Sequence, residues 1–260
     1  MTLTIAVAGK GGTGKTTLSA LLVRALCEQG VRPILAVDAD PNSTLAEALG
    51  VPEGRPLADI REHGSSPEGS PSSGMGRVRA VEDEIQRAIT EADGFDLLAM
   101  GRPEGPRCYC AVNNLLRKSL DDLAKNYAAI VLDNEAGMEH LSRRTTNDVD
   151  WLLVVTNPTW PSFRAAKRIL ALSRELPVRI GRRMLLANRV AVEGLPAEIT
   201  EEIAALDVEC LPDVPQDDLV ERAGAAGRGV LSLPDPCPAL VSVRNMVKVF
   251  CATPTCWSGK

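Results

Sequence analysis

The residues Gly9-Lys10-Gly11-Gly12-Thr13-Gly14-Lys15-Thr16-Thr17 have the spacing of a loop that wraps phosphate, G-x-x-x-x-G-K-[ST]. Glycines at 11, 12 and 14 let the backbone turn tightly, so that N–H groups converge on phosphate oxygens while the next helix adds its N-terminal dipole. Lys15 would neutralise the β and γ phosphates, and the Thr16 hydroxyl would ligate Mg²⁺. Two carboxylates follow in Asp38-Ala39-Asp40-Pro41-Asn42. Two residues apart on extended backbone, they point the same way and can both approach the phosphate side; Asp40-Pro41 is a turn signal as well. Cys108 and Cys110 have the same i, i+2 relation, so both thiolates can meet one soft metal. Two thiolates leave a tetrahedral site half built, and a symmetric dimer would supply the other pair. Packing and redox chemistry are the competing uses of such a pair.

These groups need a scaffold that brings distant segments to one edge. Leu3-Thr4-Ile5-Ala6-Val7-Ala8 reads as a short buried strand, and Leu18, Leu21, Leu22, Ala25 and Leu26 repeat at the spacing of one helix face. The runs 33–37, 128–132, 151–155 and 184–187 are apolar throughout, as strands buried on both faces are, and 95–100 and 208–211 are further strand candidates. Helical stretches near 112–125, 162–176 and 197–206 lie between them. The pattern predicts an α/β fold, a P-loop NTPase with a mostly parallel central sheet flanked by helices on both faces. Ligands of such sheets bind at the carboxyl ends of strands, which singles out the polar residues closing each run: Gly9, Asp38, Gly101, Asp133, Thr156 and Asn188.

At 260 residues a single domain spanning 1–260 is the expectation. Residues 64–76 hold eleven Gly, Ser or Pro in thirteen positions, too little apolar surface to order themselves, and read as a mobile surface loop; 251–260 read as an irregular tail. No apolar run approaches the length of a membrane span, and the first strand begins so early that no room is left for a signal peptide. The expected location is the cytoplasm, where the seven cysteines are metal ligands, reactive thiols or small core residues before they are disulfides. A formal net charge of −5 gives no footprint for nucleic acid.

The loop's second lysine, Lys10, makes K-G-G-T-G-K-T-T, which resembles the deviant Walker A of the MinD, ParA, arsenical-pump and nitrogenase iron protein class of ATPases. The resemblance implies ATP/ADP with Mg²⁺, and a nucleotide-sandwich homodimer in which Lys10 reaches the phosphates of the other subunit; a solvated loop lysine is the plainer alternative. It also implies roles for the strand-end residues. Asp40 would orient the attacking water, and Asp38 would stand in the outer shell of Mg²⁺. Asp133-Asn134-Glu135-Ala136-Gly137 looks like Walker B joined to switch II, with Asp133 on a Mg²⁺-bound water and the Gly137 N–H toward the γ-phosphate. Asn188, followed by Arg189, resembles the adenine-reading asparagine of the class.

Within that class, the stretch from Gly101 to Arg117 around Cys-Tyr-Cys and the stretch from Asp133 to Arg144 closely resemble the carbon monoxide dehydrogenase maturation ATPases of the CooC type. The implied function is an ATP-dependent metallochaperone that binds Ni²⁺, or Zn²⁺ in its place, on Cys108 and Cys110 at the dimer interface and serves apo carbon monoxide dehydrogenase. Arg107 departs from the small residue expected beside the first cysteine; its charge lowers the thiol pKa but repels a metal cation. An iron protein-like electron carrier would need a cysteine in switch II, and residues 133–139 contain none. A MinD-like regulator would need a C-terminal membrane helix, and Asn245–Phe250 carries little basic charge for stable membrane binding. Cys27 and Cys210 read as structural; Cys251 and Cys256 are a tail pair for which an accessory metal site is the alternative, and His140, after switch II, is a lone histidine that packs or caps, with a metal-ligand or phosphate-side role as the alternative.

Overall fold

The computed structural model describes residues 2–58, 74–101, 120–135 and 148–253. Cys108, Cys110, Gly137, His140 and Cys256 lie outside them. The chain begins with β1 (Leu3–Gly9), every residue of which is buried, and enters α1 (Lys15–Glu28) through the glycine-rich loop. There follow β2 (Ile34–Asp38), α2 (Leu45–Leu49), α3 (Gly74–Ala88), β3 (Ile89–Ala92) and β4 (Phe95–Ala99). After β5 (Ala129–Asp133) come β6 (Asp148–Thr156), α4 (Trp160–Ser173), β7 (Arg179–Val190) and α5 (Ala197–Ala204). The final elements are β8 (Glu209–Cys210), β9 (Val214–Pro215), α6 (Asp218–Ala225) and α7 (Pro238–Ala252).

The strands form one sheet in the order β3-β4-β2-β5-β1-β6-β7-β8, with β9 paired to β7. Every pairing is parallel except the β3–β4 hairpin at one edge. Side chains alternate between the two faces of a strand. Leu3, Ile5 and Val7 of β1 therefore enter the core beneath α1, α2, α6 and α7, while Ala6 and Ala8 face the core under α3, α4 and α5. Both faces are covered, which is why the strand sequences are apolar throughout.

Three expectations change at their edges. Gly74, Met75 and Gly76 belong to the start of α3, so the Gly/Ser/Pro-rich stretch gives way to helix earlier than its composition indicates. The tail at 251–252 is the last turn of α7, whose Met246, Val247 and Phe250 pack into the core; that apolar face is therefore covered by the protein itself. The strand expected at 184–187 runs from Arg179 to Val190. Its arginines are accommodated locally: Arg182 lies over the Trp151 ring, 5.1 Å from the centroid, and Arg183 donates to Ser173. No helix of the described residues is long and apolar enough to cross a membrane.

One close approach fixes the segment after β2. Gly50, which ends α2 at φ 84°, lies directly against Gly229, and a Cβ added at Gly229 would overlap the backbone of Leu49 and Gly50. Gly224, inside α6, faces open space. Gly229→Ala is expected to cost about 2 kcal/mol or more, because neither backbone can yield. Gly224→Ala is expected to stabilise by about 0.5 kcal/mol through helix propensity. Urea unfolding of both variants checks the pair; a neutral Gly229→Ala would mean that this contact opens easily.

Candidate nucleotide and cation site

The glycine-rich loop leaves the carboxyl end of β1 at the middle of the sheet, between β5 and β6. Gly9 must be glycine, since a Cβ would stand 2.5 Å from the Val155 carbonyl oxygen and 3.1 Å from Thr13 Oγ1. Gly14 adopts φ 84° at the N-cap of α1 and, having no side chain, supplies no cap, so the first-turn amides are left to an external acceptor. The Lys10 carbonyl draws the loop together, accepting from Thr13 N at 3.4 Å, Thr13 Oγ1 at 2.9 Å and Lys15 Nζ at 3.4 Å. Gly11 and Gly12 are exposed at its rim, and Thr16 and Thr17 open α1 half-buried.

Two lysines of the loop have opposite fates. Lys15 is buried, and loss of hydration lowers its pKa from the ordinary value, partly offset by Asp133, Asp40 and Glu135. The Lys10 side chain is exposed.

Strand register assembles the acids. Asp133 at the end of β5 pairs with Val7 of β1 on one side and Asp38 of β2 on the other, so both carboxylates occupy one row. Asp38 Oδ1 accepts from Asp40 N at 3.0 Å and Oδ2 from Leu45 N at 2.7 Å, tying the strand end to the start of α2. Asp133 Oδ1 accepts from Ser19 Oγ at 3.1 Å, and the nearby Thr16 hydroxyl also favours the ionised carboxylate. Its other oxygen, Oδ2, is buried without a hydrogen-bond partner. Burial pushes the Asp38 carboxyl up to about 6. Burial, and then the nearby Asp38, push that of Asp133 up to about 7, against the hydroxyl bonds and Lys15. Asp40 stands at the mouth, half-buried, in a turn: Oδ1 accepts from Asn42 N and Nδ2, each at 2.9 Å, and Ser43 N bonds Asp40 O. The turn signal and the position facing the loop thus coexist.

An orphaned carboxylate oxygen beside a hydroxyl and a second acid is a hard-oxygen set that suits Mg²⁺. Thr16 and Asp133 would hold it, and the cation would supply charge to the phosphates and relieve the carboxylate pair. At the other flank, Asn188, two residues before the end of β7, has its side chain against the loop, Nδ2 donating to Thr13 O at 2.8 Å. Exposed Arg189 follows at φ 57°. The two line a cleft of about 380 Å³ with Thr17, Pro215, Asp217 and Glu221.

Of the residues expected from sequence, the phosphate loop, Asp38, Asp40, Asp133, Asn188 and Arg189 therefore meet along one edge. Cys108, Cys110 and Gly137 fall outside the described residues. Sequence reasoning missed Ser19, whose hydroxyl holds Asp133 from the second turn of α1. Its place four residues after Lys15, on the same helix face, was the available signal. It also missed Asn134, whose Nδ2 donates to Val7 O at 3.0 Å and locks the ends of β1 and β5 together. Thr156, flagged only as a strand end, bonds Ser162 Oγ at 3.1 Å, and the same hydroxyl accepts from Asn157 N.

Fold and site define a nucleotide-binding P-loop protein, and comparison with known proteins gives its family. Residues 4–230 match the CobQ/CobB/MinD/ParA nucleotide binding domain, and the chain belongs to that family. It is a nucleotide-binding ATPase of that family. An uncharacterised ATP-binding protein of Methanocaldococcus jannaschii is 45% identical over 191 residues, 73% of this chain and 75% of that one. The carbon monoxide dehydrogenase accessory protein CooC of Rhodospirillum rubrum is 33% identical over 245 residues, covering 90% and 91%. Among solved structures, the septum site-determining protein MinD of Pyrococcus horikoshii with Mg-ADP superposes with TM-score 0.68 over 97% of this chain and 98% of that one, at 20% identity, a likeness of fold.

The raised carboxyls set a pH dependence for the nucleotide-free protein. An unfolded aspartate titrates near pH 4, so between about pH 4 and pH 7 the fold holds more protons than the unfolded chain, and stability falls as pH rises. Thermal unfolding from pH 5 to pH 7.5 should show this decline, and Asp133→Asn should make it shallower. A slope as steep in the variant would mean that Asp133 is already ionised in the fold.

Proposed function

We propose that this ATPase is a metallochaperone that carries Ni²⁺, with Zn²⁺ as the alternative ion, to apo carbon monoxide dehydrogenase. Cys108 and Cys110 of two subunits would share the ion in an ATP-closed homodimer. The observation that carries this reading is the C-x-C pair in a chain 33% identical to CooC over 90% of its length. Position in the sheet supports it. Met100 N donates to the Asp38 carbonyl at 2.8 Å, and Ala58 N donates to Met100 O at 3.1 Å. The chain therefore sets out toward Cys108 from the edge that carries the acids.

The nucleotide cycle follows from the same edge. Lys15 and the first-turn amides of α1 bind the β and γ phosphates. Asp40, at the mouth, orients the attacking water, while Asp38 fixes the Asp40–Leu45 segment through both carboxylate oxygens. Asp133 and Thr16 hold the Mg²⁺ shell, and the Gly137 N–H senses the γ-phosphate. Asn188 and Arg189 receive the base. Exposed Lys10 is the residue placed to meet a second subunit, and its contact with the partner's phosphates makes closure depend on ATP. Thiolates brought together by closure bind the ion, and hydrolysis separates them for delivery. The MinD-like alternative draws no support from α7, because Met246, Val247 and Phe250 are committed to the core and are not available to lipid.

Two outcomes test the cycle and the cargo separately. Lys10→Ala should bind ADP nearly as the wild type does yet fail to dimerise with ATP, measured by light scattering; a variant that still dimerises contradicts the contact in trans. Equilibrium dialysis with ATP analogue present should give one Ni²⁺ or Zn²⁺ per dimer, weakening as pH falls because protons compete for the thiolates. Cys108→Ser or Cys110→Ser should abolish tight binding, and Cys251→Ala/Cys256→Ala should not. One ion per monomer, surviving dilution, would overturn the shared site.

A further inference from the structure

Asn188 touches the phosphate loop more firmly than a wall of the base cleft needs to. Its Nδ2 donates to the Thr13 carbonyl at 2.8 Å across 175 residues of sequence, and donor and acceptor residues are 7% and 1% exposed. The side chain lies so close over the loop that a Cβ on Gly14 would come within 2.5 Å of Nδ2. On the opposite side, Thr13 N and Oγ1 both bond the Lys10 carbonyl. Thr13 is therefore held through its N–H and hydroxyl by Lys10 and through its carbonyl by Asn188, at the point where the loop becomes α1.

We infer that Asn188 is a positioning residue for phosphate binding, acting on the loop independently of any base. A peptide unit is planar, so holding the Thr13 C=O toward Asn188 turns the Gly14 N–H the other way. That N–H lies immediately before the first-turn amides of α1 and next to Lys15. With Nδ2 donating to Thr13, the loop keeps this arrangement before a ligand arrives, and the phosphate meets amides already aimed at it. Without Nδ2, the Thr13 carbonyl is a buried acceptor with no donor, and it regains one only by rotating the peptide or admitting water, either of which misdirects the Gly14 N–H. The side chain's Oδ1 is then the atom left for the base cleft, so one residue connects base and phosphate. The inference rests on the phosphate-loop site and not on the metal cargo; failure of the cysteine experiments leaves it untouched.

A ligand without a base separates positioning from base recognition. Inorganic tripolyphosphate with Mg²⁺, and ADP with Mg²⁺, are titrated calorimetrically into the full chain and into Asn188→Ala and Asn188→Asp. The aspartate keeps the shape but, ionised, has no proton to donate to Thr13 O. Both variants are expected to bind tripolyphosphate about tenfold or more weakly, the scale of a buried acceptor left unpaired, and kcat with saturating ATP is expected to fall by a similar factor. Asn188→Gln, which retains the amide on a longer arm, should recover part of the loss. Unchanged tripolyphosphate binding with weakened ADP binding would overturn the inference and leave Asn188 to the base alone. A wild-type chain that binds ADP but not tripolyphosphate would overturn it too, since the loop would then not be formed before the base arrives. Should Asn188→Ala fail to fold by circular dichroism, Asn188→Asp decides in the same assay.

Discussion

Two carboxylates buried side by side at the carboxyl end of the sheet are the constraint around which this molecule is arranged. Asp38 and Asp133 share one row of the β2–β5 ladder, nearly without solvent; burial makes both harder to ionise, and Asp38 adds to the effect on Asp133. The fold tolerates the pair by giving each acid different partners. Asp38 spends both oxygens on backbone N–H groups and so becomes part of the segment that leads into α2. Asp133 is held through Oδ1 by Ser19 and left open at Oδ2. The open oxygen is a demand for positive charge, and the loop above it brings that charge with buried Lys15. A cation at Oδ2 would relieve the burial of this charge.

The same edge explains how an event at the phosphates could be felt elsewhere. Asp38 connects to Leu45 at the start of α2, and the end of α2 is pressed, backbone to backbone, on Gly229. The 229–233 segment is in turn gripped by Arg24 of α1, whose Nη1 donates to the carbonyls of Val230 and Leu233. Arg24 also pairs with Glu28, which bonds Arg244 of α7. Just past the end of β4, Met100 N donates to the Asp38 carbonyl. A displacement of Asp38 therefore reaches both α2 and the chain that leaves β4. Tight packing transmits such shifts because it has few intermediate arrangements.

Much of this was legible in the residues. The phosphate loop and its flanking strand and helix were apparent because the motif needs a fixed spacing and because a strand buried on both faces is apolar throughout. The polar residues closing those strands were apparent because parallel sheets present their ligands there. β3 was not legible: Ile-Thr-Glu-Ala has neither an apolar run nor a clear alternation, and the segment is a strand because the turn at Asp93–Gly94 folds it back on β4. The ends of β7 were hidden as well, since the stabilisation of Arg182 and Arg183 comes from Trp151 and Ser173, distant in sequence or in another element.

The sequence by itself determined the class of ligand, through the loop at 9–17, and the parallel sheet that carries it, since both depend on local spacing and local polarity. It also marked the C-x-C pair, Cys108 and Cys110, by residue type and spacing. Tertiary structure decided which groups act on which. Strand order and register, and not any local signal, put Asp38 beside Asp133, turned Ser19 toward the acid and laid Asn188 across the Thr13 carbonyl. Those relations arise from hydrogen bonds and burial between segments up to 175 residues apart, and a strand ladder fixes them only when all its members are in place.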